Sequence, residues 1–382
     1  MTGTGVRAGD PSRGRRLRLL FALSGFHRID RGAETALLRV AQELAGTGAA
    51  EVVVAGSGLP RADTAYRFVH VPSPGRERFE RLPALPPFRN ETHWEDAAFA
   101  LRLSRLPLGG FDATLTCAYP FTNWILRRHR SRAPAHIFVT QNGDWPALAG
   151  NAEYRWFGCD GLVCTNPEYF ARNRDRWNAA LIPNGIDLER FAPGAGDRAR
   201  FALPAERPVV LMVSALMDTK RVLDGIRAMA AVPDAMLVVA GDGPLRDEAE
   251  RLAAQMLPGR YRRLEVPAGD MPLLYRSADV FLHLSKVESF GNVYLEAGAT
   301  GLPIVAHDCG LTRWILGGDA PGLIDTDDLG GVSAALRDAL GGRNSCAPDL
   351  ARFAWPRIAA AYAEFVTATV ARRRHEKNSQ VA

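Results

Sequence analysis

Short apolar runs alternate with longer amphipathic stretches through most of the chain. The short runs suit strands that are buried on both faces of a parallel sheet, and the longer stretches suit helices with one apolar side. This alternation predicts βαβ units and an α/β fold. The predicted strands are Leu17–Leu23, Glu51–Ala55, Phe68–Val71, Ala113–Thr116, His136–Thr140, Gly161–Cys164, Ala180–Ile182, Pro208–Val213, Ala235–Ala240, Arg263–Val266, Val280–Leu284, Ile304–Ala306 and Gly322–Ile324. The predicted helices include Gly32–Ala45, Arg221–Ala231, Pro244–Leu257, Leu329–Leu340 and a last helix from Trp355 to about Arg373.

Two stretches interrupt this alternation. Residues 59–92 are rich in Pro and Arg and have little periodicity, which indicates an excursion from the first domain, and residues 192–208 have the composition of an interdomain linker. A chain of 382 residues is long enough for two domains, each with its own core. The predicted organisation is a disordered leader over 1–16, a first domain over 17–193, a second over 194–354, and a terminal helix and tail over 355–382.

Composition and charge are those of an ordinary soluble globular protein, with 47% apolar and 23% charged residues and a net charge of +5. The arginine-rich runs are interpreted as solvated faces, with weak peripheral contact to an anionic membrane surface as the alternative, and no nucleic-acid partner is expected. The five cysteines form no CxxC pair, which favours unpaired thiols in a reducing compartment. We therefore expect a cytoplasmic protein, with peripheral attachment at the inner membrane face left open.

The segment SKVESFGNVYLEAGATGLPI, residues 285–304, carries two glutamates eight positions apart. The pattern places Glu288 in a strand-to-helix loop and Glu296 near the middle of a helix from about Gly291 to Thr300. Between them, the amides of Phe290, Gly291 and Asn292 lie at a helix N-terminus, which favours an anion. The two carboxylates can bind hydroxyl groups, and the helix start beside them can bind negative charge. This combination predicts a nucleotide-sugar ligand.

Three other turns follow predicted strands. Lys220 and Arg221 stand near a helix start, where cations oppose the dipole unless a polyanion binds there, so a diphosphate site and a solvated basic helix end are both open readings. Gly241 and Gly243 form a glycine turn that opens a helix, and Gly32 opens one after the first strand. Such turns let a backbone approach a ligand, but alone they are weak signals.

Several chemistries lack their residues. The eight histidines are scattered without a HExxH pair, and the motifs of serine hydrolases, P-loop enzymes and dehydrogenases do not occur. Asp325-Thr326-Asp327 has the spacing of a metal-binding pair but follows the last predicted strand and is interpreted as a loop with a helix cap. We expect no metal and no cofactor other than the nucleotide sugar as co-substrate.

Five segments together resemble the retaining glycosyltransferases of the GT-B fold, glycosyltransferase family four or glycosyl transferases group 1. They are RGAETALLRVAQELAGTG, CDGLVCTNPEYF, LIPNGIDLERFAP, SADVFLHLSKVESFGNVYLEAGATGLPIVAHD and FAWPRIAAAYAEFV. The resemblance implies two Rossmann-like domains with parallel sheets that face a deep cleft, and a C-terminal helix that crosses back to the first domain. It further implies sugar transfer, with retention of configuration, from a nucleotide-diphosphate sugar to a hydroxyl acceptor. The lack of an Asp-x-Asp pair at a strand end predicts that this transfer needs no metal.

The resemblance also implies a role for each site residue. Glu296 would bind the ribose, Glu288 the donor sugar, and Lys220, with Arg221 as a second charge, the diphosphate. The remaining donor-binding residues would be Gly32, Gly241, Gly243, Phe290, Gly291 and Asn292. The acceptor is expected to meet the first domain near His27, Arg28, Tyr119, Asn142, Asp144 and Trp145.

The chain departs from the family pattern at three positions. Ala215 replaces a frequent Arg, Asn142 stands where a His is frequent and has no proton to transfer, and Arg313 stands where an acidic residue is common. The alternatives are a nucleotide-sugar epimerase, a phosphorylase of the same fold, or a non-catalytic sugar-nucleotide-binding subunit. The sequence leaves four questions open: the identity of the donor, the oligomeric state, whether substitution is covalent or front-face, and the identity of the acceptor. The acceptor could be a polysaccharide, a lipid carrier or a small natural product.

Overall fold

A computed structural model describes residues 16–128, 134–148, 155–342 and 348–381. Most of the predicted leader, and Cys346, lie outside these residues. The strands are β1 Leu17–Ala22, β2 Ala50–Gly56, β3 Arg67–His70, β4 Ala113–Thr116, β5 Ala135–Val139, β6 Gly161–Cys164, β7 Ala179–Leu181, β8 Val209–Val213, β9 Met236–Ala240, β10 Tyr261–Leu264, β11 Val280–His283, β12 Ile304–His307 and β13 Leu323–Ile324. The helices are α1 Gly32–Gly46, α2 Glu91–Leu103, α3 Phe121–Arg127, α4 Pro167–Asn173, α5 Val222–Met229, α6 Arg246–Met256, α7 Met271–Arg276, α8 Asn292–Ala299, α9 Gly310–Leu316, α10 Leu329–Leu340 and α11 Trp355–Val381.

Backbone packing divides the chain into two units. The first holds residues up to Val139, Leu148–Leu162 and Ala359–Ala382, and the second holds Thr140–Ala147 and Val163–Ile358. The sequence prediction instead assigned everything from 17 to 193 to the first domain. The sequence does not reveal that the second unit begins earlier, because the residues after β6 form hydrogen bonds with residues far along the chain. The side chain of Asn166, for example, donates a hydrogen bond of 2.7 Å to the carbonyl of Ser289, 123 positions away.

The first sheet has seven strands in the order β3-β2-β1-β4-β5-β6-β7. Its order reverses between β1 and β4, which pair in parallel. One side of the sheet buries a cluster that includes Leu20, Val53 and Phe99. Two ion pairs attach α11 within this unit, Arg373 to Asp160 at 2.9 Å and Arg374 to Asp112 at 2.6 Å.

The second sheet has six parallel strands in the order β10-β9-β8-β11-β12-β13. Its order reverses between β8 and β11, where Val210 pairs with Val280 and Leu211 with Phe281. Alternate residues of these strands enter two separate cores, with Leu211 in one and Val210 in the other. The strands are thus apolar on both faces, as the uninterrupted apolar runs predicted. The predicted α/β architecture of two parallel sheets is confirmed.

Three predicted elements differ in the structure. Strand β10 spans Tyr261–Leu264 rather than Arg263–Val266, because its half-buried YRRL sequence lacks an apolar run to mark it. The predicted linker packs on the second unit through buried Phe201 and Leu203 and an ion pair from Arg198 to Asp279. Helix α11 continues to Val381 instead of ending near residue 373, since the residues beyond are mostly good helix formers without an apolar stripe.

Among the described helices, none combines the length and apolar character that crossing a bilayer requires.

Candidate functional site

The second sheet brings two predicted site residues to its switch point. In open parallel sheets, ligands bind beyond the carboxyl ends of the strands where the strand order reverses. Strand β8 leads through a short turn to Lys220, and β11 ends at His283 and leads to Glu288. Because β8 and β11 are the neighbours across the reversal, both side chains lie at the position where a ligand is expected.

Lys220, His283 and Glu288 form one hydrogen-bonded group. The Lys220 Nζ lies 2.5 Å from Glu288 Oε1, and the His283 Nε2 lies 2.8 Å from the same oxygen. Glu288 is only 14% exposed and His283 only 2%. Burial by itself raises the pKa of the Glu288 carboxyl, but the hydrogen bonds and charges of His283 and Lys220 outweigh it and lower the pKa to about 2. Glu288 is therefore a fixed anion at neutral pH.

The two glycines of the predicted donor turn support the loop that leads to Lys220. Gly241 has a φ of +148°, and a Cβ there would lie 2.0 Å from the carbonyl oxygen of Ser214. A Cβ on Gly243 would lie 2.5 Å from the carbonyl oxygen of Leu216. The loop after β8 thus lies directly against this turn, which only glycine permits. This packing accounts for both glycines without a ligand, and their donor-binding role stays a prediction.

Arg221 uses its guanidinium within the protein. It pairs with Asp224 at 2.9 Å and Asp327 at 3.2 Å and donates to the hydroxyl and carbonyl of Thr326 at 2.9 and 3.0 Å. Its φ of +54°, just before α5, is uncommon for a residue with a side chain. These contacts fix the turn that carries Lys220. The role of Arg221 as a second charge at the diphosphate stays a prediction.

Glu296, the second glutamate, is held by a tyrosine that the sequence analysis did not select. The Tyr275 hydroxyl donates to Glu296 Oε2 over 2.8 Å, and the tyrosine is fully buried on α7. Burial raises the pKa of Glu296, which the hydrogen bond from Tyr275 offsets only in part. Glu296 lies in the middle of α8, as predicted.

The start of α8 is where the sequence predicts an anion site. Gly291 precedes the helix with a φ of +82°, no side chain caps the helix, and Phe290 is buried in the core. The side-chain amide oxygen of Asn292 accepts a hydrogen bond of 2.8 Å from Asn184 Nδ2. The side-chain amides of Asn184 and Gln141 also exchange two hydrogen bonds. Asn184 thus orients the first residue of α8.

A pocket of about 270 Å³ opens beside Glu288 within the second unit. Asp144, predicted as an acceptor residue, lines it together with Glu288. Asp144 accepts from Arg172 Nε at 2.8 Å and from Asn173 Nδ2 at 2.7 Å. The further lining residues are Asn166, Glu168, Tyr169, Arg172, Ser285, Lys286, Val287, Tyr294, Cys309, Leu311 and Thr312. This pocket is large enough for several ligand atoms to reach the Glu288 carboxylate.

Two predicted acceptor residues of the first unit are engaged in internal contacts. His27 binds the Leu59 carbonyl through Nδ1 at 3.0 Å and the Tyr66 hydroxyl through Nε2 at 2.8 Å, and burial lowers its pKa. Arg28 forms an ion pair with buried Glu95. Since both polar ends of His27 already have partners, its role as an acceptor ligand stays a prediction without support from its contacts.

Gly32 and Tyr119 follow the two strands at the switch point of the first sheet. Gly32 is exposed and begins α1, whose N-cap residue Arg31 makes no side-chain cap. Tyr119 follows β4, is 7% exposed, and packs against the rings of Trp124 and Phe157. Both therefore follow strands at the edge where open parallel sheets bind ligands, and their roles in this chain stay predictions.

The remaining predicted residues lie in short helical turns after β5. Asn142 ends one turn and Trp145 begins the next, on either side of Gly143 with its φ of +121°. Arg313 forms an ion pair with Asp308.

Within the parts of the chain that the structure describes, no group of three or more His, Cys, Asp or Glu side chains could hold a metal ion.

Sequence reasoning missed His283, Tyr275 and the residues that enclose the pocket with Asp144. His283 had a signal: it is the one polar residue of the apolar run VFLHL and comes at the strand end that precedes Glu288. Tyr275 had none, because its contact with Glu296 spans 21 positions and two helices.

Comparison with known proteins places part of the chain in a known family. Residues 196–343 match the family model of glycosyl transferases group 1. The chain is 32% identical over 210 residues to GDP-mannose-dependent alpha-(1-6)-phosphatidylinositol monomannoside mannosyltransferase of Mycolicibacterium smegmatis, covering 49% of this chain and 55% of that protein. It is also 32% identical over 179 residues to D-inositol 3-phosphate glycosyltransferase of the same organism, over 44% and 41% of the two chains. The chain spans about half the length of the curated relatives it matches.

Solved structures extend the likeness to nearly the whole chain. Sucrose-phosphate synthase from Thermosynechococcus elongatus superposes with a TM-score of 0.67 at 20% identity, over 96% of this chain and 99% of that one. Anabaena HepE in complex with UDP-glucose superposes with a TM-score of 0.65 at 15% identity, over 95% and 100%. The chain thus has the GT-B fold, and its second unit carries a domain of the glycosyl transferases group 1.

Proposed function

We propose that the chain is a retaining glycosyltransferase that moves a sugar from a nucleotide-diphosphate donor to a hydroxyl acceptor without a metal ion. The observation that carries this proposal is the Lys220–Glu288 pair at the switch point of the second sheet. A cation and a fixed carboxylate side by side suit a ligand that is a diphosphate at one end and a polyol at the other. The uncapped start of α8 and the Tyr275-bound carboxylate of Glu296 lie on the same segment.

The chemistry follows from where charge develops. As the bond between the anomeric carbon and the diphosphate breaks, negative charge grows on the departing oxygen, and Lys220 is the group that would stabilise it. The acceptor oxygen bonds to the anomeric carbon, and its proton passes to the departing diphosphate. Glu288 binds sugar hydroxyls in this scheme, and its low pKa makes it a weak nucleophile, which favours front-face substitution over a covalent intermediate.

The relatives supply candidates for the donor. The mannosyltransferase relative is named for GDP-mannose, and the HepE structure contains UDP-glucose. We therefore infer a GDP- or UDP-sugar donor for this chain. We further infer that it works in the cytoplasm, because the sequence has an odd number of cysteines and no CxxC pair.

A thermal-shift panel of UDP-, GDP- and dTDP-sugars with the purified protein tests the proposal. A ligand that binds only the folded state raises the melting temperature by mass action. We expect one nucleotide series to raise it in a concentration-dependent way. A panel in which no nucleotide sugar raises it contradicts the proposal.

A further inference from the structure

Among the residues that the structure describes, Glu288 is the one polar partner of His283. His283 is the last residue of β11, and its Nε2 lies 2.8 Å from Glu288 Oε1. The ring is held edge-on against Tyr294, with centroids 5.1 Å apart, and parallel to Phe281 at 6.1 Å. Its other nitrogen, Nδ1, is buried without a hydrogen-bond partner among the described residues.

A histidine is costly for folding at this position. An unsatisfied buried polar atom destabilises a protein, and the neighbouring strand residues are fully buried apolar side chains that an apolar residue would match. Since an ionised carboxylate only accepts hydrogen bonds, Nε2 must carry the proton in this contact. What the histidine supplies in return is one fixed donor for Glu288.

The geometry divides the two carboxylate oxygens of Glu288. Both Lys220 and His283 reach Oε1, and no described residue donates to Oε2. Glu288 lines the pocket, so Oε2 is the oxygen that stays available to a ligand there. A carboxylate held at one oxygen has its second oxygen aimed in a fixed direction.

Lys220 cannot serve Glu288 and a diphosphate equally. If a donor binds as proposed above, its diphosphate carries more negative charge than one carboxylate and draws the ammonium toward itself. We propose that His283 is a positioning residue that holds the Glu288 carboxylate in place for the donor sugar while Lys220 binds the diphosphate. This inference rests on the proposed function and adds a residue to it.

The electrostatics of the surroundings agree with this role. Burial pushes the pKa of Glu288 up, and His283 contributes more than Lys220 to lowering it to about 2. The titratable groups around Glu288 are Lys220 on the turn after β8, His283 on β11, Tyr294 on α8, and, around the pocket, Asp144, Glu168, Tyr169, Arg172, Lys286 and Cys309. Without Lys220 and His283, burial would leave Glu288 protonated at a higher pH than an ordinary glutamate.

The test compares His283→Leu with His283→Gln in the full chain. Leucine removes the donor and also the unsatisfied Nδ1, so this variant is expected to fold, whereas glutamine retains an N–H near the Nε2 position. His93→Gln is the matched control, since His93 is a buried histidine of α2 in the first unit. Each variant is measured for its melting temperature, nucleoside-diphosphate affinity by calorimetry, and kcat across pH.

We expect His283→Leu to bind the nucleoside diphosphate within about twofold of wild type but to lose at least about tenfold in kcat. As the pH is lowered, the kcat of His283→Leu is also expected to begin falling at a higher pH than the kcat of wild type. The pH dependence of kcat reports the pKa of groups in the enzyme–substrate complex. His283→Gln is expected to regain most of the loss, and His93→Gln to match wild type in kcat.

A folded His283→Leu with wild-type kcat and pH profile overturns the inference, and so does a glutamine variant no better than leucine. If wild type transfers sugar and Lys220→Ala abolishes transfer, such a result leaves the proposed function standing. If wild type binds no nucleotide sugar at all, the proposed function fails and takes the inference with it.

Discussion

The ammonium of Lys220 lies 2.5 Å from the carboxylate of Glu288, although the residues are 68 positions apart. The two come together because β8 and β11 are neighbours where the order of the second sheet reverses. In the ligand-free protein the pair neutralises itself, since a buried charge needs a partner. Under the proposed function, a nucleotide diphosphate that binds Lys220 replaces this internal partner, so that binding changes the contacts of Glu288.

Replacing Tyr275 with Phe tests whether Glu296 anchors the ribose. The change removes the hydroxyl that donates to Glu296 and leaves the buried ring. A hydrogen bond to a charged group contributes about 1.5–3 kcal/mol, so we expect the KM for the donor to rise about tenfold while kcat changes little. Steady-state kinetics with varied donor measure this.

Tyr261→Phe is the matched control, because the buried Tyr261 hydroxyl on β10 has no hydrogen-bond partner in the described part of the chain. Its donor KM is expected to equal that of wild type. Equal donor KM values for Tyr275→Phe and wild type would argue against the ribose role of Glu296.

Arg221→Ala separates a structural role from a catalytic one. Its guanidinium contacts Asp224, Thr326 and Asp327, so its loss is expected to lower the melting temperature markedly. We expect a smaller loss in kcat than Lys220→Ala causes, measured below the melting transition of both variants. A kcat loss equal to that of Lys220→Ala with an unchanged melting temperature would restore Arg221 as a second charge at the diphosphate.

The stability of the ligand-free protein should carry a signature of Glu288 in acid. Its pKa of about 2 in the folded protein is below the ordinary value of 4.5, so its ionised form stabilises the fold above the ordinary value. This contribution is lost as pH falls through the interval between the two values. We expect the melting-temperature difference between wild type and Glu288→Gln to shrink by about half from about pH 6 to about pH 3. A difference independent of pH would mean that Glu288 is not held as a low-pKa anion.

Transfer should survive removal of divalent metal ions. The Asp-x-Asp candidate is occupied, since Asp325 accepts from the Asp327 amide at 3.0 Å and Asp327 pairs with Lys286 and Arg221. We therefore expect turnover in excess chelator to stay within about twofold of the untreated rate, because Lys220 supplies the charge that a metal would. Loss of activity in chelator that manganese restores would show that this prediction is wrong.

The strands were predictable because they are buried on both faces. In β8, β9 and β11 the apolar runs VVLMV, MLVVA and VFLH mark the strands directly, and the βαβ order predicts parallel sheets. Glu288 in its loop and Glu296 in its helix followed from Gly291, Gly301 and Pro303. Local pattern was sufficient wherever a residue's role depends on its own element.

Contacts between distant elements were not predictable in the same way. The bond between Asn184 and Asn292 spans 108 positions, and nothing in either local sequence indicates the other. Phe201 and Leu203 lie in a stretch without periodicity, so their burial depends on the surface that the second sheet presents. His283 shows the boundary between the two cases: its polarity in an apolar run was visible, but its partner was apparent only from the turn that follows β11.

The turnover of Lys220→Ala and Glu288→Ala, with the donor that the binding panel identifies, tests whether this site transfers sugar. We expect each variant to stay folded and to lose at least about tenfold in kcat, because each removes a charge that acts on the reacting donor. Lys377→Ala on α11 in the first unit is the control of the same residue type, with turnover expected to equal wild type. Unchanged turnover in both Lys220→Ala and Glu288→Ala would contradict the assignment of this site to sugar transfer.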